Sequence, residues 1–484
     1  MMSLTMILVA LAGYALLLLA VGWFSARRAG NATFFAADRR MAWYVVWQAM
    51  ISAAMSGITF VSVPGSVAED GFSYLQMVLG FTVGQLLIAF WLVPLFYRWR
   101  YTSLYEYFGD RFGPKSHRTG AWCFFLSKLV TAALKLYIVA AVLQVLLFDQ
   151  MAIPFWLNVL VMMIVVWGYT LRGGVRSLLA TDLLKTALMV ATLLVVMVAI
   201  CSAMGWGLPE LSREVAATPF SQIFFFDDPT SDRYFWKMFP AGILLLVAMT
   251  GLDQELMQRN LACRSQRDAQ RNILLTALCQ AVVIALFLVL GVVLYRYALA
   301  VGLPIPNKGD ELFALVATRG GLSAWIGALF VVGFASASFS AAGGSLTALT
   351  TSCAIDLLEG NRRFDEQGLR KVRYGLHTLL SGVMFGLVCL FGYAADESTI
   401  NLIYKVAGYT YGPVLGFFLF GLWTRREVRD RWTWLAAVAG PLTVAVLQFC
   451  LSRYDVQIGF ELLLYNAAIV MAVLALLSRR KATS

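Results

Sequence analysis

QAMISAAMSGITFVSVPG, residues 48–65, is apolar enough for lipid yet carries the residues that open a helix. Ser52, Ser56 and Thr59 bring hydroxyls through its middle, Gly57 follows Ser56, and Pro64-Gly65 stands at its outer end. A continuous helix is not expected here, because Gly disfavours a helix interior and Pro lacks an N–H and crowds the preceding turn. In hydrocarbon, opened backbone is tolerated only where it meets protein, water or an ion. A second stretch of this kind, FPAGILLLVAMTGLDQE at 239–255, comes five apolar runs later, with Pro240 and Gly242 early and Thr250-Gly251 late. Two interrupted runs in corresponding places point to inverted repeats whose freed carbonyls hold substrate and cations near mid-membrane. Small residues also serve close helix packing, and the second stretch by itself fits either reading.

Working outward, the whole chain of 484 residues is 60% hydrophobic and only 13% charged, so lipid is the solvent these residues are chosen for. Runs of about 20 apolar residues suit helices, whereas barrel strands would be short and alternating. The fold class expected is all-α integral membrane, with about 13 transmembrane helices. The spans are placed at 4–25, 44–66, 73–97, 119–147, 153–171, 178–205, 237–258, 272–300, 323–350, 372–394, 398–422, 431–452 and 459–478.

The net charge of +11 lies in alternate loops and is not the mark of a nucleic-acid partner. Basic residues follow the odd-numbered spans: Arg27, Arg28, Arg39 and Arg40; Arg98, Arg100 and Arg118; Arg172 and Arg176; Arg259, Arg264, Arg267 and Arg271; Arg362 and Arg363; Arg425 and Arg426; Arg479, Arg480 and Lys481. Acidic residues mark the other loops: Glu69 and Asp70, Asp149, Asp227 and Asp228, Asp396 and Glu397, and Asp455. The positive-inside rule then puts the N-terminus outside and the C-terminus in the cytoplasm of a plasma membrane, the inner membrane of a bacterium. The first span lacks a basic leader and a cleavage site and reads as retained. Seven scattered Cys give no disulfide or metal spacing. No phosphate-binding loop, metal cluster or G-x-S-x-G elbow is present, and the loops leave no room for a soluble catalytic domain, so no enzyme activity is expected.

Span 9 contains ASASFSAAGGSLTALTTS, residues 335–352, just before Asp356. Its hydroxyls suit a hard cation such as sodium, and its small residues equally suit a helix interface. Asp182 and Lys185 sit one turn apart early in span 6, as functional charges or a structural ion pair. Lys128 and Lys135 lie seven residues apart on one stripe of span 4 with Thr131. They call for snorkelling, a structural partner or a substrate carboxylate. Lys405 in span 11 is a weaker candidate, nearer the outer end.

Taken together, MSGITFVSVPG (55–65), TSLYEYFGDRFG (102–113), GGVRSLLATD (173–182), DQELMQRNLACRSQRDAQ (253–270), SAAGGSLTALTTSCAID (340–356) and YTYGPVLGFF (409–418) resemble the sodium:solute symporter family, which includes sodium/glucose, sodium/sialic acid and sodium/proline carriers. The resemblance implies a leucine-transporter-type core of two inverted five-helix repeats working by alternating access. It implies residues 1–43 as the first helix and a cytoplasmic linker, 44–205 as the first repeat and 206–236 as an extracellular loop. Residues 237–422 become the second repeat, and 423–484 two peripheral helices with a short cytoplasmic tail. It also implies a transported sodium ion at Ser52, Met55, Ala337 and Ser340, with Ala341 standing where a second hydroxyl is usual. Asp182 falls near the sodium exit or a second sodium site, and Lys185 where the family often has Gln. Ser56, Thr59, Tyr74 and Gln76 match substrate-facing positions, and Lys128 or Lys135 falls near the basic residue of carboxylate-binding members.

The expected function is sodium-coupled symport of a small polar solute, a sugar, sugar acid or other carboxylate, in the lipid bilayer and without nucleic acid. Ala341 and Lys185 keep a proton-coupled or sodium-independent carrier open as the alternative. A membrane sensor is a third reading, although sensor relatives add a cytoplasmic kinase domain and this chain ends soon after span 13. A channel is a fourth, and no ring of charges marks a selectivity filter. Solute identity, stoichiometry and oligomeric state are left open by the sequence.

Overall fold

A helix occupies each of the apolar runs just placed. They are Leu4–Ala26, the pair Trp43–Ala54 and Gly57–Gly65, Tyr74–Leu87 continuing to Trp99, Pro114–Leu143, Phe155–Thr170, Val175–Ala203, the pair Phe235–Leu246 and Gln254–Asn260, Gln266–Ala300, Ala324–Ser352, Glu366–Ala394, Thr399–Trp423, Thr433–Ser452 and Leu462–Leu476. The computed structural model describes residues 4–26, 30, 31, 34, 42–99, 104–394, 399–453, 458, 459 and 461–479. Arg27, Arg28, Arg39, Arg40, Arg100, Arg480 and Lys481 of the basic loops, and Asp396, Glu397 and Asp455 of the acidic ones, lie outside the described residues. Among the described residues nine helices are long and apolar enough to cross a bilayer, and the bent pair at 43–65 makes a tenth. Three further apolar helices, Phe155–Thr170, Phe235–Gly251 and Leu462–Leu476, are shorter.

Span 2 comes apart where its hydroxyls and glycine meet. Met55 (φ −105°, ψ 116°) and Ser56 (φ −112°, ψ 177°) are extended, and the two arms bend by 50°. The Ser56 N–H, which no longer has a helical acceptor, donates to Thr59 Oγ1 at 3.4 Å. Gly57 starts the second arm against span 9, and a Cβ there would lie 2.6 Å from Ser338 Oγ. Phe60 then anchors this arm among Phe287, Phe313, Phe330 and Phe334, with ring centroids 5.3–6.0 Å away. Pro64 stays inside the second helical arm, so the opening is at Met55–Ser56 alone.

Span 7 opens later than its proline suggests. Phe235–Leu246 runs through Pro240 and Gly242, widens into a π turn at Val247–Gly251, and breaks at Leu252–Asp253 before Gln254–Asn260. Pro240 lies near the helix start, where a missing N–H leaves only the Trp236 carbonyl without its helical donor. Gly242 serves packing, since a Cβ on it would lie 2.4 Å from Met77 O of span 3.

Loop contacts sort the connections into two faces. On one face Asn31 Nδ2 donates to Glu366 O at 2.9 Å, Arg118 pairs with Glu359 at 2.6 Å, and the Ser116 N–H donates to Asp430 Oδ1 at 2.7 Å. Glu427–Val428 forms a short antiparallel ladder with Ser478–Arg479 on the same side. On the other face Arg233 donates to Glu69 O at 3.0 Å, Arg296 pairs with Glu214 at 3.1 Å, and Lys237 lies 3.9 Å from Glu461.

Candidate solute and cation site

The two breaks face a cavity of about 130 Å³, walled by span 2 (Ser56, Thr59), span 4 (Lys128, Thr131, Lys135), span 7 (Thr250, Asp253, Glu255, Arg259) and span 9 (Ser340, Ala341, Ser345). Tyr74, Lys185, Gln280 and Tyr411 complete it from spans 3, 6, 8 and 11. A cavity of this size approaches the roughly 150 Å³ that admits benzene in an engineered protein core.

One wall is a closed ion network. Lys128 Nζ lies 2.8 Å from both Asp253 Oδ2 and Glu255 Oε2. Tyr411 donates its hydroxyl to Asp253 Oδ2 at 2.6 Å. The other Asp253 oxygen caps the second arm of span 7, accepting from the N–H groups of Glu255 at 2.8 Å and Leu256 at 3.3 Å. Asp253 thus fixes the break by a motif familiar from helix starts. Arg259 NH2 reaches Glu255 Oε1 at 3.2 Å, and its NH1 reaches Asp182 Oδ2 at 3.2 Å and Ala49 O at 3.3 Å. Asp182 Oδ1 accepts from Ser52 Oγ at 3.1 Å and from Ser340 Oγ. Lys185 Nζ donates to the Ser52 carbonyl. All these charged side chains are buried. In so poorly polar a setting such a network holds only while each charge keeps its partners.

Lys135 stands apart. It lines the same cavity, half-buried, and makes no hydrogen bond or ion pair among the described residues. Around the cavity the cations are Lys128, Lys135, Lys185 and Arg259, and the carboxylates are Asp182, Asp253 and Glu255, leaving one positive charge in excess.

Of the residues singled out for substrate, Ser56, Thr59, Tyr74, Lys128 and Lys135 are brought to this cavity. Gln76 is not: buried near the mouth, it donates to Arg233 O at 2.8 Å and accepts from the Phe225 N–H at 3.1 Å, tying the 206–236 loop to span 3. Of the sodium positions, Ser340 and Ala341 line the cavity. Ser52, Met55, Ala337 and Asp182 are buried behind it. Lys128 takes Asp253 and Glu255 as partners while it lines the cavity. Asp182 and Lys185 do not pair with each other; Asp182 takes Arg259, and Lys185 takes the Ser52 carbonyl. Lys405 is half-buried away from the cavity. The sequence reading missed Asp253, Glu255 and Tyr411 and counted Arg259 as a loop cation. Two acids and an arginine closing an interrupted span were the signal available.

The model of the sodium:solute symporter family matches residues 34–430. The human sodium/iodide cotransporter is 24% identical over 83% of this chain, which spans 63% of that protein's length. The sodium/sialic acid symporter SiaT of Proteus mirabilis (strain HI4320) is 22% identical over 93% of this chain and 89% of its own. A solved structure of a Na⁺-coupled sialic acid symporter, substrate-bound and outward-open, aligns over 98% of this chain and 99% of its own with a TM-score of 0.82 at 17% identity. At that identity the likeness speaks for the fold.

Proposed function

The chain belongs to the sodium:solute symporter family, a family of transporters and not of enzymes, and from that premise we propose that it imports a small monoanionic solute, a carboxylate foremost, by alternating access. Sodium is the coupling ion of the family. The observation that carries the solute class is Lys135, a cavity-lining cation with no partner among the described residues, where cations outnumber carboxylates by one. An anion entering there neutralises a charge that the protein leaves open, whereas a neutral sugar does not. Ser56, Thr59 and Tyr74 supply polar contacts on the opposite wall. The cavity favours a solute of about one ring's bulk. Two relatives, a sodium/iodide cotransporter and a sodium/sialic acid symporter, are named for an anion and an acid, which accords with this reading.

The architecture proposed with it is thirteen crossings, inverted repeats at 44–205 and 237–422, and an external N-terminus in a bacterial-type plasma membrane. Its supports are the loop contacts, each of which joins connections separated by an even number of spans, and the basic residues gathered on one of the two faces.

The test is a melting-temperature screen of purified protein against monocarboxylates, sugar acids, neutral sugars and amino acids, followed by proteoliposome uptake of the best ligand with a sodium or a potassium gradient. A monoanion is expected to raise Tm. Lys135→Met is expected to weaken it by about 10- to 100-fold, the worth of a hydrogen bond to a charged group, without lowering the ligand-free Tm. Neutral sugars as the best ligands, or a Lys135→Met variant of unchanged affinity, would overturn the proposal.

A further inference from the structure

Two of the oxygens expected to hold sodium at the break of span 2, the Ser52 carbonyl and the Ser340 hydroxyl, are already engaged by the chain itself. The Ser52 carbonyl accepts from Lys185 Nζ. The Ser340 and Ser52 hydroxyls both give their protons to Asp182 Oδ1, and Asp182 Oδ2 faces Arg259 at 3.2 Å. Ala341 brings no hydroxyl, so of the expected ligands the Met55 and Ala337 carbonyls are what is left for an ion. A sodium ion there would share a carbonyl with one ammonium and a carboxylate with a guanidinium. It would meet like charges that the membrane interior screens poorly, and it would lack the oxygen shell a hard cation needs. The residues present do not fit the ion.

We infer that the cation at the opened middle of span 2 is part of the chain: the Lys185 ammonium takes the Ser52 carbonyl that sodium would use, and sodium does not bind there. Lys185 is fixed for this from span 6, fully buried, one turn after Asp182. A tethered ammonium joins span 6 to span 2, whereas the expected ion would join spans 2 and 9, and it stays when the solute leaves. Any sodium that this chain binds is then held by other residues. The inference rests on the transport reading for the identity of the site, while its test reads ion binding alone and is independent of uptake.

Purified full-length protein is titrated with sodium chloride at constant ionic strength against choline chloride, following Tm, for wild type, Ser340→Ala, Lys185→Met and the double variant. Whatever sodium response wild type has, including none, is expected to be unchanged by Ser340→Ala. Lys185→Met, which bares the Ser52 carbonyl, is expected to gain a sodium-dependent rise in Tm that choline does not give and that adding Ser340→Ala removes. A wild-type sodium response that Ser340→Ala abolishes would overturn the inference, as would a folded Lys185→Met variant that gains no response. Should Lys185→Met not fold, wild type against Ser340→Ala still decides. Failure of solute uptake, with these ion responses as expected, would count against the transport reading only.

Discussion

Glu255 holds two cations at once, Lys128 through Oε2 at 2.8 Å and Arg259 through Oε1 at 3.2 Å, and it does so just past the break of span 7. Removing one partner of a buried pair leaves an uncompensated charge, which costs about 3–5 kcal/mol, more than the intact pair contributes. Glu255→Gln is therefore expected to destabilise the protein by about 3 kcal/mol, the low end because chains unfolded within a membrane also find partners. The double variant with Lys128→Met should recover part of that loss. Chemical unfolding of both variants in detergent checks it; equal stability of Glu255→Gln and wild type would mean that the network carries no load. The lysines on span 4 were legible in the sequence because spacing alone puts Lys128 and Lys135 on one stripe. Their difference was not, since what separates a neutralised Lys128 from an open Lys135 is a turn of chain more than a hundred residues away. Gln76 shows the same limit: its register on span 3 was right for a pocket, but the 206–236 loop folds back onto it.

At the scale of elements, the helix Pro114–Leu143 begins without a cap of its own. The preceding Gly113 (φ +123°) has no side chain to offer, and the first N–H groups of a helix have no partner within it. Asp430, from the loop after span 11, supplies the cap from a distance, accepting from the N–H groups of Lys115 at 3.0 Å and Ser116 at 2.7 Å. Its carboxylate also suits the positive end of the helix. Asp430→Ala is expected to cost about 1–2 kcal/mol and Asp430→Asn less than half of that, read from urea or thermal unfolding. Equal losses in the two variants would assign the effect to charge and not to capping. No local sequence pattern announces such a cap, because donor and acceptor are some three hundred residues apart. The break in span 2 was legible for the opposite reason: Ser56, Gly57 and Thr59 carry its chemistry side by side. In span 7 the region was right and the position was not. Pro240 and Gly242 are the stronger helix breakers by type, but one lies near a helix start and the other packs on span 3, so the opening falls to Leu252–Asp253, where an Asp can restart the helix.

For the whole molecule, the alternation of basic and acidic loops and the contacts between loops are independent observations that support the topology we propose. A hydrogen bond at 2.7 Å between Ser116 and Asp430 requires that the loops before span 4 and after span 11 lie on one face, so the spans between them cross an even number of times. The ladder of Glu427–Val428 with Ser478–Arg479 makes the same demand of spans 12 and 13. Arg296 with Glu214, and Arg233 with Glu69, make it of spans 7 and 8 and of spans 3 to 6 on the opposite face. Basic loops gather with Asp430 and the acidic 206–236 loop with Arg233, so the orientation proposed from the positive-inside rule has the first face in the cytoplasm. In intact cells, with the native cysteines replaced, Thr230→Cys should then react with a membrane-impermeant maleimide, and Arg429→Cys should react only after permeabilisation. Labelling of both from outside would break the chain of even crossings. Labelling of Arg429→Cys alone would invert the orientation but leave the proposed transport inward under the same sodium gradient, because the gradients, and not the face the carrier turns outward, set the direction of coupled flux.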